Sequence, residues 1–117
     1  MSYVFDIITL FPEVIEAYVD TSIIGRARKR GLLTARCHNP RDHATDRHGS
    51  VDDTPYGGGA GMLMMAEPLA QSIEGAKAEA ATAKVVLLSP AGRRFNQAVA
   101  EEFAQGDGVI LVCGRYE

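Results

Sequence analysis

The sequence predicts an α/β domain with a mainly parallel sheet and helices on both of its faces. Short apolar runs of strand length alternate along the chain with segments whose apolar residues recur at helical spacing, the pattern of repeated strand-helix units. The run from Lys84 to Leu88 has a continuous apolar interior, as in a strand covered on both faces. With 117 residues, 46% of them hydrophobic, the chain has the size and composition of one domain or part of one.

The first strand and the first helix are predicted from the start of the chain. Tyr3 to Ile8 is a short apolar run that suits a buried strand. Pro12, which follows Phe11, suits the first position of a helix because its fixed φ is helical and its missing N–H would have no partner there. The apolar residues that continue at helical spacing are Val14, Ile15, Tyr18 and Val19.

A second helix and a second strand follow. The helix is predicted over Ser22 to Arg30, and Gly31 stands just beyond it, where a glycine commonly ends a helix. Leu32 to His38 has the character of a strand. The helix residues predicted to face inward are Ile23, Ile24 and Ala27.

The middle of the chain is a long connection. Asn39 to Gly61 shows little periodicity, and connections of that length within a compact domain are usually functional or disordered. We interpret this one as functional. A helix is then predicted after Pro68, and its apolar residues are Leu69, Ile73, Ala76 and Ala80.

The last three elements repeat the strand-helix order. Lys84 to Leu88 is a strand, and Asn96, a favourable N-cap, begins a helix that ends at Gly106-Asp107-Gly108. Val109 to Cys113 is a final buried strand. The order predicts parallel strands joined by helices.

A dense glycine segment lies between Asp52 and Met65. Glycine suits backbone that must lie tight against a ligand, so the cluster predicts a binding loop. A flexible linker would be polar on both sides, whereas this segment runs into an apolar Met-Leu-Met-Met sequence. A P-loop is excluded because no Gly-Lys-Ser/Thr follows the glycines. The clustered glycines are Gly57, Gly58, Gly59 and Gly61.

Positive charge is concentrated in one part of a chain whose net charge is −3. The segment from Arg26 to Arg47 holds seven of the 12 basic residues and only two acidic ones. Such a segment attracts an anionic polymer, and nucleic acid is the natural candidate. The alternative is a solvated helix face followed by scattered loop charges. The basic residues are Arg26, Arg28, Lys29, Arg30, Arg36, Arg41 and Arg47.

The remaining composition favours an intracellular, metal-free chain. Cys37 and Cys113 are far apart without a CxxC pattern, so reduced thiols are expected and not a disulfide or zinc site. Three histidines repeat every five residues, which fits neither one helix face nor one strand face, so no metal site is predicted. No apolar stretch has membrane-spanning length and no signal-peptide pattern opens the chain, so the expected location is the cytoplasm.

Two predicted strands end in short segments that suit a ligand site. Ser89 to Gly92 follows one strand and Gly114 to Glu117 follows the other. In parallel sheets, ligands bind beyond the carboxyl ends of strands. Neither segment contains GxGxxG, so a dinucleotide is not indicated. Each segment by itself also fits an ordinary strand-to-helix turn, and the pair carries the prediction.

Taken together, the motifs resemble those of the bacterial tRNA (guanine-N1)-methyltransferase (TrmD) family. They occur in order along essentially the whole chain, and the glycine segment with the final Gly-Arg-Tyr-Glu is the most specific part. The residues that carry the resemblance are Ile8 to Glu13, Pro40 to Asp42, Asp46 to His48, Val51 to Asp53, Pro55 to Met62, Leu88 to Pro90 and Cys113 to Glu117.

The resemblance implies a SPOUT fold, an α/β domain with a deep trefoil knot, that works as a homodimer. It implies S-adenosylmethionine as methyl donor and N1 of guanine 37 in tRNA as the acceptor. Mg²⁺ is compatible with this chemistry, but no residue of the sequence indicates it. The implied cofactor-binding residues are Leu87, Leu88, Ser89, Pro90, Gly92, Gly114, Arg115, Tyr116 and Glu117.

RNA contacts are expected from the basic stretch and the glycine loop. Arginines there would meet phosphates, and the glycine backbone would approach the guanine closely. Asp52 and Asp53 are interpreted as turn-forming acids or as positioning residues, not as a catalytic base. The expected substrate-binding residues are Arg41, Arg47, Asp52, Tyr56, Gly57, Gly58 and Gly59.

The chain departs from the family at its end. Family members continue after the position of Glu117 with the segment that completes the knot and with a C-terminal helical domain. The catalytic aspartate lies in that part, so no catalytic residue is assigned here. We therefore expect these residues alone to be inactive. The alternative function is that of a non-catalytic RNA-binding module.

Overall fold

The main sheet of the molecule is parallel and has four strands. The structure is a computed structural model that describes residues 2–44, 52–53, 63–64 and 66–114. The four strands lie in the order β2-β1-β6-β5 and all pair in parallel. They are β1 (Tyr3–Ile8), β2 (Leu33–His38), β5 (Lys84–Leu88) and β6 (Gly108–Cys113). The predicted α/β class with a parallel sheet is confirmed.

Four helices and a small second sheet complete the described elements. The helices are α1 (Pro12–Val19), α2 (Ser22–Lys29), α3 (Ala66–Glu79) and α4 (Gln97–Ala104), and a 3-10 turn covers Pro40–His43. The second sheet pairs β3 (Asp52–Asp53) with β4 (Leu63–Met64) in antiparallel orientation. Every helix and strand predicted from the sequence is present. The largest boundary difference is at α3, which begins two residues before Pro68.

Two helix ends have the capping predicted for them. Gly31, at φ 74°, follows α2, and the amides of Gly31 and Leu32 donate to the carbonyls of Arg28 and Ala27 at 3.1 and 3.0 Å. These two bonds form a Schellman motif, which needs the left-handed residue that glycine supplies. At the start of α4, the Asn96 side chain accepts a bond from the Val99 amide at 3.0 Å.

The core has two halves, one on each face of the sheet, because neighbouring strand residues point to opposite faces. On the front face, Ile7 and Ala35 are buried with Val19 under α1 and α2. On the back face, Ile8, Ile110 and Val112 are buried with Ala76 of α3. Helices therefore cover both faces, as predicted.

Two burial predictions are wrong. The strand predicted to be covered on both faces, β5, lies at an edge of the sheet, and Val85, Leu87 and Leu88 are 44%, 66% and 50% exposed. Its apolar run reflects a preference for burial that the described part of the chain does not satisfy. Ile23, predicted to face inward, is 74% exposed, and only its neighbour Ile24 packs against the front-face core.

Within the described residues, no helix combines the length and the apolar character required to cross a membrane.

Gly108 is required by the close approach of β1 and β6. A Cβ at this position would lie 2.4 Å from the Val4 carbonyl oxygen, whereas a Cβ at Gly75 of α3 would meet no atom within 4 Å. We expect Gly108→Ala to lower the free energy of unfolding by about 1–3 kcal/mol because backbone must move to relieve the clash. Gly75→Ala should raise it by about 0.5–1 kcal/mol because alanine restricts the unfolded chain.

Urea denaturation of the two variants and the unsubstituted chain measures this difference. Equal effects of the two substitutions would contradict the close approach of β1 and β6.

Candidate functional site

The two strand-end segments singled out in the sequence lie side by side. Strands β5 and β6 are parallel neighbours with Leu88 opposite Cys113, so Ser89 and Gly114 leave the sheet at adjacent positions. Ser89 starts a turn in which its Oγ accepts from the Ala91 amide at 3.1 Å and its carbonyl accepts from the Gly92 amide at 3.5 Å. The structure thus brings the first predicted segment next to the start of the second.

An open cavity of about 1020 Å³ surrounds this turn and follows β5. It is lined by five of the residues predicted to bind the cofactor: Leu87, Leu88, Ser89, Pro90 and Gly92. Basic side chains stand at its rim. Lys77 is already engaged there, since its Nζ donates to the carbonyls of Ala81 and Ala83 at 2.9 and 3.0 Å, and Arg93 pairs with Glu102 at 3.0 Å.

Several predicted site residues fall outside the described part of the chain. They are Arg47, Tyr56, Gly57, Gly58, Gly59, Arg115, Tyr116 and Glu117. Of Asp52 the structure describes the backbone, which pairs with Met64 across the small second sheet. The two strands that flank the glycine segment therefore lie together.

Arg41 is exposed and lies at the carboxyl-terminal end of the main sheet, as the strand-end segments do. It belongs to the 3-10 turn that follows His38, the last residue of β2. Asn39 caps this turn, since its Oδ1 accepts from the Arg41 amide at 3.0 Å. Pro40 is buried, and the turn packs against α3.

Sequence reasoning missed a charged cluster buried in the sheet. The Asp6 side chain, in the middle of β1, is fully buried on the back face. Arg36 donates to both of its oxygens, Nε to Oδ1 at 2.8 Å and Nη2 to Oδ2 at 2.9 Å. His38 Nε2 lies 2.7 Å from Oδ1, and Arg36 Nη1 also reaches Glu79 at the end of α3 at 3.1 Å.

The sequence pattern did carry a signal of a buried charge in β1, although not of its pairing with β2. Asp6 interrupts an apolar strand, and Arg36 and His38 occupy alternate positions of β2, which share one face. Burial alone would raise the pKa of the Asp6 carboxyl, but hydrogen bonds from Arg36 and His38 outweigh it and hold that pKa below its ordinary value. Asp6 is therefore a carboxylate at neutral pH.

The basic segment does not form one surface. Arg28 pairs with Asp20 at 2.7 Å and Glu16 at 3.3 Å, and Arg36 lies in the Asp6 cluster. Arg26, Lys29 and Arg30 lie in or next to the last turn of α2, which leads into the amino end of β2. Arg41 stands at the opposite, carboxyl end of that strand. Of the described basic residues in this segment, Arg41 is thus the one near the strand-end site.

The two cysteines are free thiols on separate strands. Cys37 lies on β2 and Cys113 on β6, with β1 between them, so the expectation of unlinked thiols is confirmed. Burial, with Glu16 nearby, raises the pKa of the Cys37 thiol to about 11. Burial also raises the pKa of Cys113. Across the described ranges, no three metal-ligating side chains converge.

A family model decides where the chain belongs. The model described as tRNA (Guanine-1)-methyltransferase TrmD matches residues 3–117. The chain belongs to this family. Members named tRNA (guanine-N(1)-)-methyltransferase include proteins from Geobacter metallireducens, 56% identical over 113 residues, and Pasteurella multocida, 54% identical over 112 residues. The matches cover 97% and 95% of this chain but 46% of each relative, so the chain spans about half their length.

A TrmD-family structure shares the fold. The crystal structure of tRNA (m1G37) methyltransferase from Aquifex aeolicus superimposes with a TM-score of 0.89 at 30% sequence identity. It covers 100% of this chain, which corresponds to 53% of that structure. The resemblance stated from the motifs is confirmed at the level of family and fold.

Asp6 should be a major contributor to stability at neutral pH. Asp6→Asn weakens the bonds to Arg36 and His38 and should lower the free energy of unfolding at pH 7 by about 3 kcal/mol, the scale for breaking a buried ion pair. Because the folded-state pKa lies below the ordinary value of 3.8, this contribution is present above that pH and is lost as the pH falls further.

Urea denaturation at pH 7 and pH 3 should therefore show the unsubstituted chain and Asp6→Asn converging at the lower pH. Glu74→Gln, at an exposed position of α3, is the control and should change little at either pH. A constant difference between the chain and Asp6→Asn at both pH values would contradict the ionic role of Asp6.

Proposed function

We propose that this chain forms the N-terminal part of the methyl-transfer domain of an enzyme that methylates N1 of guanine 37 in tRNA, with S-adenosylmethionine as the donor. The observation that carries the proposal is the adjacency of Ser89 and Gly114 beside an open cavity. The names of the family model and of the relatives support the reaction and the RNA substrate, and membership of the family supports the donor class.

The residues at the strand ends fit an adenosine. The cavity is in the size range of small-molecule sites, and Leu87 and Leu88 present exposed apolar surface on opposite faces of β5, either of which suits a flat ring. The outer edge of β5 has no partner strand among the described residues, so its backbone groups are available for directional hydrogen bonds. Arg94, which also lines the cavity, suits the carboxylate of the methionine moiety.

When bound, S-adenosylmethionine supplies an electrophilic methyl group on its sulfonium. The described residues would bind and orient this donor: the Ser89 turn from one side and Gly114 from the other. Arg115, Tyr116 and Glu117 are proposed to continue that wall. Proton removal from guanine N1 requires a base, and we assign it to the part of the relatives that lies beyond the matched region.

The acceptor RNA is proposed to approach along the same edge of the sheet. Neighbouring strands are about 4.8 Å apart, so the end of β2, which carries Arg41, lies about 10 Å from the end of β6. That distance suits a splayed-out nucleotide whose phosphate meets Arg41 while its base reaches the donor. Arg47, Asp52, Tyr56, Gly57, Gly58 and Gly59 are proposed to contact the same RNA segment.

A second copy of the chain is the proposed protein partner. Phe11, Val14 and Tyr18 leave 45%, 62% and 65% of their surface exposed, and the latter two share one stripe of α1. An apolar stripe on a helix is typical of a contact surface. We propose that it belongs to a homodimer interface and that the enzyme works in the cytoplasm, where tRNA is modified.

Methyl transfer should need more than these residues. We expect the purified 117-residue chain to transfer no methyl group from labelled S-adenosylmethionine to unmodified tRNA, because we assign the base and part of the donor pocket to the part of the relatives beyond the matched region. A chimera that continues after Glu117 with the corresponding remainder of the Geobacter metallireducens protein should restore transfer to guanine 37.

Transcripts with adenine at position 37 serve as the control substrate. An active 117-residue chain would show that it contains its own base. A chimera that binds tRNA but transfers nothing would favour the non-catalytic RNA-binding module.

Arg41 should contribute one phosphate contact. In the chimera, Arg41→Ala should weaken tRNA binding and reduce the slope of log affinity against log salt by about one unit. The matched control is Arg26→Ala, which removes an exposed arginine near the opposite end of the sheet. Fluorescence anisotropy across a salt series measures both slopes, and an unchanged slope for Arg41→Ala would assign this arginine to folding.

A further inference from the structure

We propose that His38, held by the buried Asp6 carboxylate, is a positioning residue that aims Arg41 at the substrate RNA. This inference rests on the proposed function, and it goes beyond it by assigning a role to the Asp6 cluster. His38 acts through the turn that follows it and does not itself contact the reacting atoms.

The Asp6 cluster is unusual for a structural ion pair. A carboxylate with no exposed surface costs solvation free energy, and an apolar residue in mid-strand would avoid that cost. Arg36 already supplies both oxygens with a donor. The 2.7 Å contact from His38 is therefore a third bond to a carboxylate whose two oxygens each already have a donor.

His38 lies where β2 passes into the turn that carries Arg41. It is the last residue of β2, its side chain is 21% exposed, and its carbonyl accepts from the Thr9 amide at 3.0 Å. The backbone and the ring are thus both fastened to β1. The next residue, Asn39, caps the turn that carries Arg41 and accepts from the Asp42 amide at 2.9 Å.

The turn that carries Arg41 is held to more than one element of the fold. Pro40 is buried and the turn packs on α3, which holds the turn against that helix. The His38 carbonyl and ring both hold the start of the turn to a different element, β1, and the ring adds the contact that lies on the Asp6 side of the sheet. Arg36 ties the same carboxylate to Glu79 of α3, so both elements share one rigid frame.

The test compares two amides that differ by one methylene. In His38→Gln the side-chain NH₂ can occupy the place of Nε2 and still donate to Asp6, whereas in His38→Asn it is too short to reach. In the chimera, His38→Gln should bind and methylate tRNA like the unsubstituted protein. His38→Asn should raise KM for tRNA about fivefold and reduce the salt slope by about one unit, as Arg41→Ala does, with kcat changed less than about twofold.

A double-mutant cycle separates positioning from general stability. If His38 acts through Arg41, His38→Asn should weaken tRNA binding no further in a protein that already carries Arg41→Ala. In a protein that carries Arg26→Ala, the effect of His38→Asn on tRNA binding should add in full. Should His38→Asn melt below the assay temperature, His38→Phe, which keeps the ring volume without the hydrogen bond, takes its place.

Additive losses with Arg41→Ala, or a fall in kcat with KM unchanged, would overturn the positioning role. His38→Gln as impaired as His38→Asn would overturn the role of the bond to Asp6. If the unsubstituted chimera neither binds nor methylates tRNA, the proposed function itself fails and this inference falls with it. A functional chimera with additive losses refutes the inference alone.

Discussion

The pairing of a buried carboxylate with two basic side chains is the interaction on which this fold depends most. Asp6 lies in the middle of β1, where an uncompensated charge would be far more costly than any single apolar contact in the domain. Its partners sit on β2, two residues apart, and one of them extends to α3. A slip of one residue between β1 and β2 would carry both partners to the other face of the sheet. The buried charge of Asp6 therefore also determines the register in which β1 and β2 pair.

A second constraint comes from strands that are distant in sequence. Strand β1 is flanked by β2 and by β6, which begins about a hundred residues after it. Gly108 allows the two backbones to approach at the start of this pairing. Because all four strands run the same way, their carboxyl ends share one edge, and that edge gathers the Ser89 turn, Gly114 and Arg41 from three separate parts of the chain.

Local signals in the sequence predicted the elements well, and long-range packing explains what they missed. Pro12, Gly31 and Asn96 act through bonds within a few residues, so helix ends could be read directly. The exposure of β5 could not be predicted in this way. An apolar run indicates that a strand favours burial, but it does not indicate which element of the fold covers it. The pairing of Asp6 with residues thirty positions later depends on register, which composition does not encode. The resemblance of the motifs was enough to locate the strand-end site. The basic stretch does not act as one surface because Arg28 and Arg36 are held in ion pairs, which became visible only in the folded structure.

The exposed edge of β5 also bears on how such a chain is made. In the longer relatives, a ribosome makes the matched region before the residues that lie beyond it. Among the described residues β5 pairs with β6 alone, so the other side of this apolar strand has no partner strand there. Unpaired edges of this kind recruit strands from other molecules. Lys84 at the start of the strand and Arg93 and Arg94 after its end place positive charge on both sides of the apolar run, which is how sequences discourage such pairing. The same basic groups that line the cavity would thus serve as gatekeepers during synthesis.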